Sequence, residues 1–454
     1  MILTCFFGSY DRRRRRYWPS AMPDIPMDIL REVFKQSWTS PLRAHKSYEF
    51  PWYLGHVCSK WRAVFFSMRS TFWNRIEIEW HDDSGVGLKQ QDAANVTEIV
   101  PFFLDCTRGA PFSVAFCTKG GYTEEDTDYD ILPTLVDLIN CSEQWEEVSI
   151  KLLSTHLVFL CATKGCLSQL KKLEIDVKNE YEYEDAFRII PSVVTKVFED
   201  APILKEVVIW GFSAWKFKFN WSSLTAVTLL QQRHCKAILA ILRETINVVE
   251  LTIKASHLDP NDERSELIHL PHLERLYIDN VTLLAVLETP SLQQLRIDFA
   301  FLSFYDDGGI IASAFLRRCG NKLSTIVIYR GPLGVVKDIL LSAPELDHLA
   351  LFDVTMIGDP FKWMAGTGMQ VRFNTLRVSW DRDWSPGLGP LHDLIARRSP
   401  PNDKESLSPK ELFIHMSKMD HDESEVANLE SLCRDRGIRF GFVGPARRCH
   451  GVDI

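Results

Sequence analysis

The chain has 454 residues, of which 46% are hydrophobic and 25% are charged, and its formal net charge is −8 at pH 7. This composition is that of a globular protein and excludes a largely disordered or fibrous chain. The length predicts one small and one larger unit rather than a single core. The acidic balance argues against nucleic acid as a partner. No apolar run comes near the roughly 20 residues of a membrane helix, so no membrane partner is expected either.

The first predicted segment, residues 1–21, is a disordered basic tail. It contains five consecutive arginines, at positions 12–16, and no periodic apolar pattern. Such runs are usually solvated, and recognition by the nuclear import machinery is the alternative. The 11 cysteines of the chain have no paired spacing, which favours reduced thiols and a cytoplasmic or nuclear location.

Residues 22–80 contain two apolar stripes at helical spacing. Pro26 suits the first turn of a helix, because its missing N–H is no loss there. A polar, proline-containing loop is predicted between the stripes, and residues 70–78 end in the alternation of a strand. Periodicity alone predicts a small helical bundle with its own core. The first stripe consists of Ile25, Ile29, Leu30, Val33 and Phe34, and the second of Leu54, Val57, Cys58, Trp61 and Phe65.

These residues resemble the F-box motif, which begins with Leu-Pro, continues with a Glu-Ile/Leu pair and ends in Val-Cys-Lys/Arg-x-Trp-Arg. This chain has Ile25-Pro26, then Ile29-Leu30, and at residues 57–62 the sequence Val-Cys-Ser-Lys-Trp-Arg. The Thr-Phe-Trp sequence at residues 71–73 is typical of large fungal F-box families. Ile25 departs from the leucine of the motif and the loop between the helices is long, which weakens the affinity predicted for its partner.

The resemblance implies that this module binds a Skp-family adaptor, which links to the cullin scaffold of a ubiquitin ligase. Because the module is small, the resemblance implies both core and interface roles for Cys58 and Trp61. It assigns the adaptor contacts to Ile25, Pro26, Ile29, Leu30, Val33, Phe34, Leu54, Val57, Cys58, Trp61 and Arg62.

From about residue 145 a leucine-rich strand frame repeats: an apolar residue, two variable ones, an apolar one, one variable and an apolar one. Successive central positions lie roughly 20–35 residues apart, which is typical of a leucine-rich repeat with irregular insertions. Prolines such as Pro202 and Pro290 follow helix-like runs, end the helix and precede the next strand. The nine central residues are Leu173, Val207, Val227, Leu251, Leu276, Leu295, Ile326, Leu349 and Leu376, with Val148 and Leu412 as outer members.

The predicted fold is therefore α/β: an N-terminal helical F-box followed by an irregular leucine-rich-repeat solenoid, with parallel strands on the concave face and helices outside. The F-box module and the repeats are expected to have separate cores. The predicted division is a basic tail at 1–21, the F-box module at 22–80, a connecting segment or atypical first repeats at 81–144, the solenoid at 145–440 and a C-terminal tail at 441–454.

The sequence contains no catalytic motif of the common kinds: no phosphate-binding loop, no His-Glu-x-x-His zinc helix and no nucleophile elbow. It predicts a non-catalytic protein without a metal or cofactor. The alternative is an α/β enzyme without a recognisable motif, in which folding would have to bring together His269, His272 and Cys319. His415, His421 and Asp422 form a candidate set of three metal ligands, although histidines in acidic surface loops are common.

Period-2 alternation sends the variable strand residues to the face opposite the apolar ones, where a target protein would bind. Aromatic and arginine side chains are enriched at such recognition surfaces. The predicted function is therefore a substrate receptor of a cullin-type ubiquitin ligase, with a non-ligase F-box scaffold as the alternative. A purely solubilising role for these residues is the simpler interpretation. The predicted target-binding residues are Tyr277, Asp279, Arg296, Asp298, Tyr329 and Phe352, with Tyr277, Arg296 and Tyr329 as anchors.

Overall fold

The structure is a computed structural model, in which fifteen strands form one parallel sheet. It describes residues 25–38, 40–44, 46, 50–81, 89–119, 132–178, 194–211, 214–232, 234–255, 266–299, 308–319, 322–343, 345–353, 360–365, 372–380, 388–398, 409–416 and 423–443. The predicted basic tail at 1–21 and all but the first three residues of the predicted C-terminal tail lie outside these residues.

The strands of the sheet follow one another in chain order, except that β9 and β11 pair separately as a two-stranded sheet. The strands are β1 (Leu42–Arg43), β2 (Arg75–His81), β3 (Phe112–Lys119), β4 (Trp145–Leu153), β5 (Lys172–Lys178), β6 (Glu206–Trp210), β7 (Ala226–Gln232), β8 (Glu250–Ala255), β9 (Ile268–His269), β10 (Arg275–Ile278), β11 (Leu287–Glu288), β12 (Gln294–Asp298), β13 (Thr325–Tyr329), β14 (Glu345–Phe352), β15 (Arg372–Trp380), β16 (Glu411–Met416) and β17 (Arg439–Val443).

Helices supply many of the crossovers that neighbouring parallel strands require. The α-helices are α1 (Met27–Ser37), α2 (Ser59–Ser67), α3 (Arg69–Phe72), α4 (Lys89–Thr107), α5 (Leu132–Asn140), α6 (Cys235–Glu244), α7 (Gly308–Arg318), α8 (Leu333–Ser342), α9 (Pro360–Met364), α10 (Gly389–Arg398) and α11 (Glu423–Asp435). Shorter 3₁₀ helices occur at Trp52–His56, Ser142–Gln144, Ser154–Thr163, Val194–Lys196, Ala214–Lys216, Trp221–Ser223 and Val281–Val286. Among the described helices, none is long and apolar enough to cross a bilayer.

The nine predicted central residues form one row across the sheet. Leu173 pairs with Val207, Leu276 pairs with Leu295, and the intervening strands keep the same register. The row continues through Ile326, Leu349 and Leu376. All nine side chains are buried, so the predicted strand frame and its core-facing side are confirmed.

The sheet extends beyond the range 145–440 at both ends. Strands β1 and β2 lie within residues 22–80, β3 lies within residues 81–144, and β17 continues to Val443. In β3, Val114 occupies the same row as Val148 of β4. Strand β1 forms inside the loop that was predicted to be polar and irregular.

The buried apolar residues form one cluster, which runs from Leu30 in α1 to Ile438 before β17. The expectation of separate cores is therefore wrong. The reason lies in the aromatic residues that follow the F-box-like motif. Trp73 packs against both Phe66 and Phe102, with ring centroids 5.9 and 5.7 Å away, so helix α4 packs directly against the N-terminal module.

Candidate functional site

Three apolar side chains on one side of α1 are exposed: Pro26, Ile29 and Val33. Their spacing of three and four residues places them on a single helix face. Ile29 is 54% exposed and Val33 is 47% exposed. We call Pro26, Ile29 and Val33 the α1 surface. It presents apolar side chains that the described part of the chain leaves uncovered.

Three other predicted adaptor contacts, Leu30, Phe34 and Leu54, are buried in the core of this chain. In this arrangement the protein's own side chains cover them, and their assignment as adaptor contacts stays a prediction. Phe34 packs edge-on against Trp61, with ring centroids 5.1 Å apart, which holds α1 on α2. These residues support the α1 surface from below.

The remaining predicted contacts lie at the edge of the same module. Ile25, Val57 and Trp61 are half-buried, whereas Cys58 and Arg62 are exposed. Arg62 Nε donates a hydrogen bond to the carbonyl of Gly55 at 2.9 Å. This bond ties α2 to the 3₁₀ helix Trp52–His56.

The second candidate surface lies on the sheet face opposite the buried row. Arg296 of β12 lies between two tyrosine rings, with its Cζ 4.4 Å from the ring centroid of Tyr277 and 4.5 Å from that of Tyr329. Lys254 Nζ lies 5.1 Å from the Tyr277 centroid, and Phe352 stacks on Tyr329 at 4.7 Å. We call these five residues the aromatic–cation cluster. The fold thus joins four of the six predicted target-binding residues and adds Lys254.

The tyrosines of this cluster are partly withdrawn from water. Burial raises the pKa of Tyr277 and of Tyr329, and the nearby Asp298 acts in the same direction. The positive charge of Arg296 partly opposes this rise for both phenols. Both rings are therefore neutral at pH 7 and offer their faces to the guanidinium as π-systems.

Asp279 and Asp298, the other two predicted target contacts, are each only 7% exposed. Asp279 Oδ1 accepts the backbone N–H of Ala255 at 2.7 Å, and burial raises the pKa of this carboxyl. Asp298 accepts a hydrogen bond from Arg330 Nε at 3.0 Å and a second from a terminal guanidinium nitrogen. Both carboxylates are thus engaged within the chain.

Arg330 was missed by the sequence reasoning. Its φ is +53°, in the left-handed region, and its N–H donates to the carbonyl of Phe352 at 2.8 Å. This turn after β13 allows the side chain to reach Asp298. Only the Arg330-Gly331 pair at the strand end could have signalled such a turn.

The groups named for an enzymatic alternative show no activated nucleophile. Cys319 lies 3.4 Å from Thr289 Oγ1, and burial raises the pKa of its thiol to about 11. His269 is exposed, with its Nδ1 3.1 Å from a Glu288 carboxylate oxygen. His421 and Asp422 lie outside the described residues. Within those residues, no group of three potential metal ligands occurs.

Comparison with known proteins does not assign the chain to a family. No protein-family model matches it, and no curated protein matches it.

Proposed function

We propose that this protein is the substrate receptor of a cullin-type ubiquitin ligase. In this proposal the F-box module at residues 22–80 binds a Skp-family adaptor through the α1 surface. The sheet and its helices form an irregular leucine-rich-repeat solenoid. The sheet face opposite the buried row, which we call the open face, binds a target protein. The protein contributes binding and positioning and carries out no covalent chemistry.

One observation carries the proposal: Ile29 and Val33 are exposed at positions where the F-box resemblance places adaptor contacts. Contact between large apolar side chains and water is unfavourable, so covering them with a partner lowers the free energy. Covering a half-exposed side chain of this size contributes about 1 kcal/mol. A contiguous pair on one helix therefore suits a helical partner with an apolar groove.

The repeated strand frame supports the solenoid part of the proposal. Each strand from β5 to β8, together with β10 and β12 to β15, places one apolar residue in the same row. In a solenoid each repeat buries its apolar side against its neighbours, which produces such a row. The opposite row remains available for recognition.

Calorimetry with a purified Skp-family adaptor tests the adaptor part. We expect the wild-type chain to bind, and we expect Ile29→Asp/Val33→Asp to weaken the affinity at least tenfold, since each change places a charge in an apolar contact. The matched control is Ile310→Asp on α7, where an isoleucine is 63% exposed. It should leave the affinity unchanged.

Absence of binding by the folded wild-type chain would refute the proposal. A second assay mixes the adaptor complex with a cullin. Incorporation into the cullin complex supports the ligase role, whereas adaptor binding without incorporation indicates a scaffold outside the ligase.

A further inference from the structure

Three cations on the open face contact aromatic rings instead of carboxylates. Lys254 lies over Tyr277, Arg296 lies between Tyr277 and Tyr329, and Arg377 Cζ lies 5.3 Å from the Phe413 ring centroid. None of the three forms an ion pair within the described part of the chain. We call Lys254, Arg296 and Arg377 the cation tract.

Other cations on the same face are neutralised. Lys172 pairs with Glu206 at 3.3 Å, Arg439 pairs with Glu411 at 2.6 Å, and Arg275 pairs with Glu250. These pairs lie toward the amino ends of their strands. The cation tract therefore differs from these paired cations, because its three members contact aromatic rings and have no ion-pair partner among the described residues.

The nearest buried acids oppose the charge of the tract only in part, and the positive charge of Lys254 lowers the pKa of Asp279 against the effect of burial. Asp279 and Asp298 are buried, and each is already hydrogen-bonded within the chain, to Ala255 N–H and to Arg330 respectively. A carboxylate from outside would meet three cations that have no ion-pair partner among the described residues. This is charge complementarity for an acidic partner.

The tract has the length of a short peptide. It crosses the neighbouring strands β8, β10, β12, β13, β14 and β15, which is five strand-to-strand steps. At about 4.8 Å a step this is about 24 Å, the span of about seven residues of extended chain at about 3.3 Å each. The tyrosines and Phe352 lie between the cations and offer apolar contact area.

We propose that the cation tract binds a short, extended segment of the target that is rich in aspartate or glutamate. Its carboxylates contact Lys254, Arg296 and Arg377, and its intervening apolar side chains pack on the rings of the aromatic–cation cluster. The inference rests on the proposed function in one respect only, that the acidic segment belongs to the ligase target.

A carboxylate suits this geometry better than a phosphate group. Phosphorylated motifs are recognised by clustered arginines that surround one group. Here the cations are separated by aromatic rings, so each meets its own anion. The Cζ of Arg296 lies 4.4 and 4.5 Å from the centroids of the two tyrosine rings, and these contacts restrict the movement of the guanidinium. The side chain therefore loses little conformational freedom when its edge binds a planar carboxylate.

The test is a selection of random twelve-residue peptides on the purified full chain, followed by affinity measurements on the recovered peptides. We expect aspartate and glutamate to be enriched, and the affinity to fall with added salt. Lys254→Gln/Arg296→Gln/Arg377→Gln should weaken binding at least tenfold. The matched control, Lys171→Gln/Lys205→Gln/Arg434→Gln, removes three exposed cations elsewhere and should bind as wild type.

If the triple variant unfolds, the double variant Lys254→Gln/Arg377→Gln is tested instead, because it leaves the half-buried Arg296 unchanged. Recovery of no peptides, of neutral or basic peptides, or of acidic peptides that bind the variants equally well would overturn the inference. Binding only after phosphorylation of the peptides would also overturn it. Adaptor calorimetry on the same samples separates the two proposals. If only this inference is wrong, the wild-type chain still binds the adaptor. If the F-box proposal is wrong, the wild-type chain does not bind the adaptor.

Discussion

Ile29 and Leu30 are consecutive residues of α1, yet Ile29 is 54% exposed and Leu30 is 1% exposed. An α-helix turns by about 100° per residue, so neighbouring side chains face different surroundings. Leu30 faces the core together with Phe34, whereas Ile29 lies on the α1 surface with Val33. This residue pair thus separates a core position from a position on the proposed adaptor-binding surface.

This difference in burial predicts different effects of alanine substitution at Leu30 and at Ile29. Leu30→Ala should lower the free energy of unfolding by about 2–5 kcal/mol, because it leaves a cavity in a closed core. Ile29→Ala should change stability by less than about 0.5 kcal/mol. It should nevertheless weaken adaptor binding by about 1 kcal/mol, roughly fivefold. Urea unfolding and calorimetry measure the two quantities, and similar stability losses for both variants would contradict the assignment.

The buried row predicts a second contrast. Leu295 lies in the middle of the row, between Leu276 and Ile326, and is fully buried. Leu295→Ala should lower the free energy of unfolding by about 2–5 kcal/mol. Ile310→Ala, at an exposed position of α7, should change it by less than about 0.5 kcal/mol. Equal thermal and urea stability of the two variants would be inconsistent with one continuous core.

Asp279 predicts a pH effect on stability. Burial raises the pKa of Asp279 above its ordinary value of 3.8, so the folded state holds this proton more tightly than the unfolded chain does. Its contribution to stability is therefore largest below pH 3.8 and is lost as the pH rises through the pKa of the folded state. Asp279→Asn keeps an oxygen that can accept the Ala255 N–H but carries no charge to bury.

We expect Asp279→Asn to be at least as stable as wild type at pH 7, with a flatter decline in stability as the pH rises above 3.8. Urea unfolding at several pH values measures the difference between the two proteins. Asp393→Asn, at an exposed carboxylate of α10, serves as the control and should follow the wild-type profile. A variant less stable than wild type at pH 7 but equal to it at pH 3.5 would contradict this sign.

The cysteines predict a difference in alkylation. Cys58 is exposed at the start of α2, whereas burial raises the pKa of the Cys319 thiol to about 11. At pH 7.5 the Cys319 thiol is therefore almost entirely protonated, whereas the thiolate is the reactive form. Iodoacetamide should therefore modify Cys58 much faster, as followed by peptide mass spectrometry.

The same measurement reports on the adaptor. Bound adaptor should slow the modification of Cys58, which lies among the predicted contacts, and leave the slow rate at Cys319 unchanged. Equal rates at Cys58 with and without a saturating adaptor would place the interface elsewhere on the module.

The strand frame could be predicted from the sequence because it depends on local alternation. In each repeat the residues before and after the central apolar position face the opposite side of the sheet, so one register satisfies every strand. This alternation predicts the buried row from Leu173 to Leu376. It also places Tyr277, Arg296, Tyr329 and Phe352 on the opposite face. The alternation of Phe112, Val114 and Phe116 marks β3 in the same way, although the longer frame is absent there.

Other features depended on contacts between distant residues. Helical periodicity places Leu30 and Ile29 in the same apolar stripe, but only the packing of Phe34 on Trp61 decides which of them is covered. Period-2 alternation sends Asp298 to the open face, but the turn at Arg330 brings a guanidinium against it and buries it. A local pattern gives the direction of a side chain, whereas its burial and its partners depend on what the rest of the chain brings to the same place.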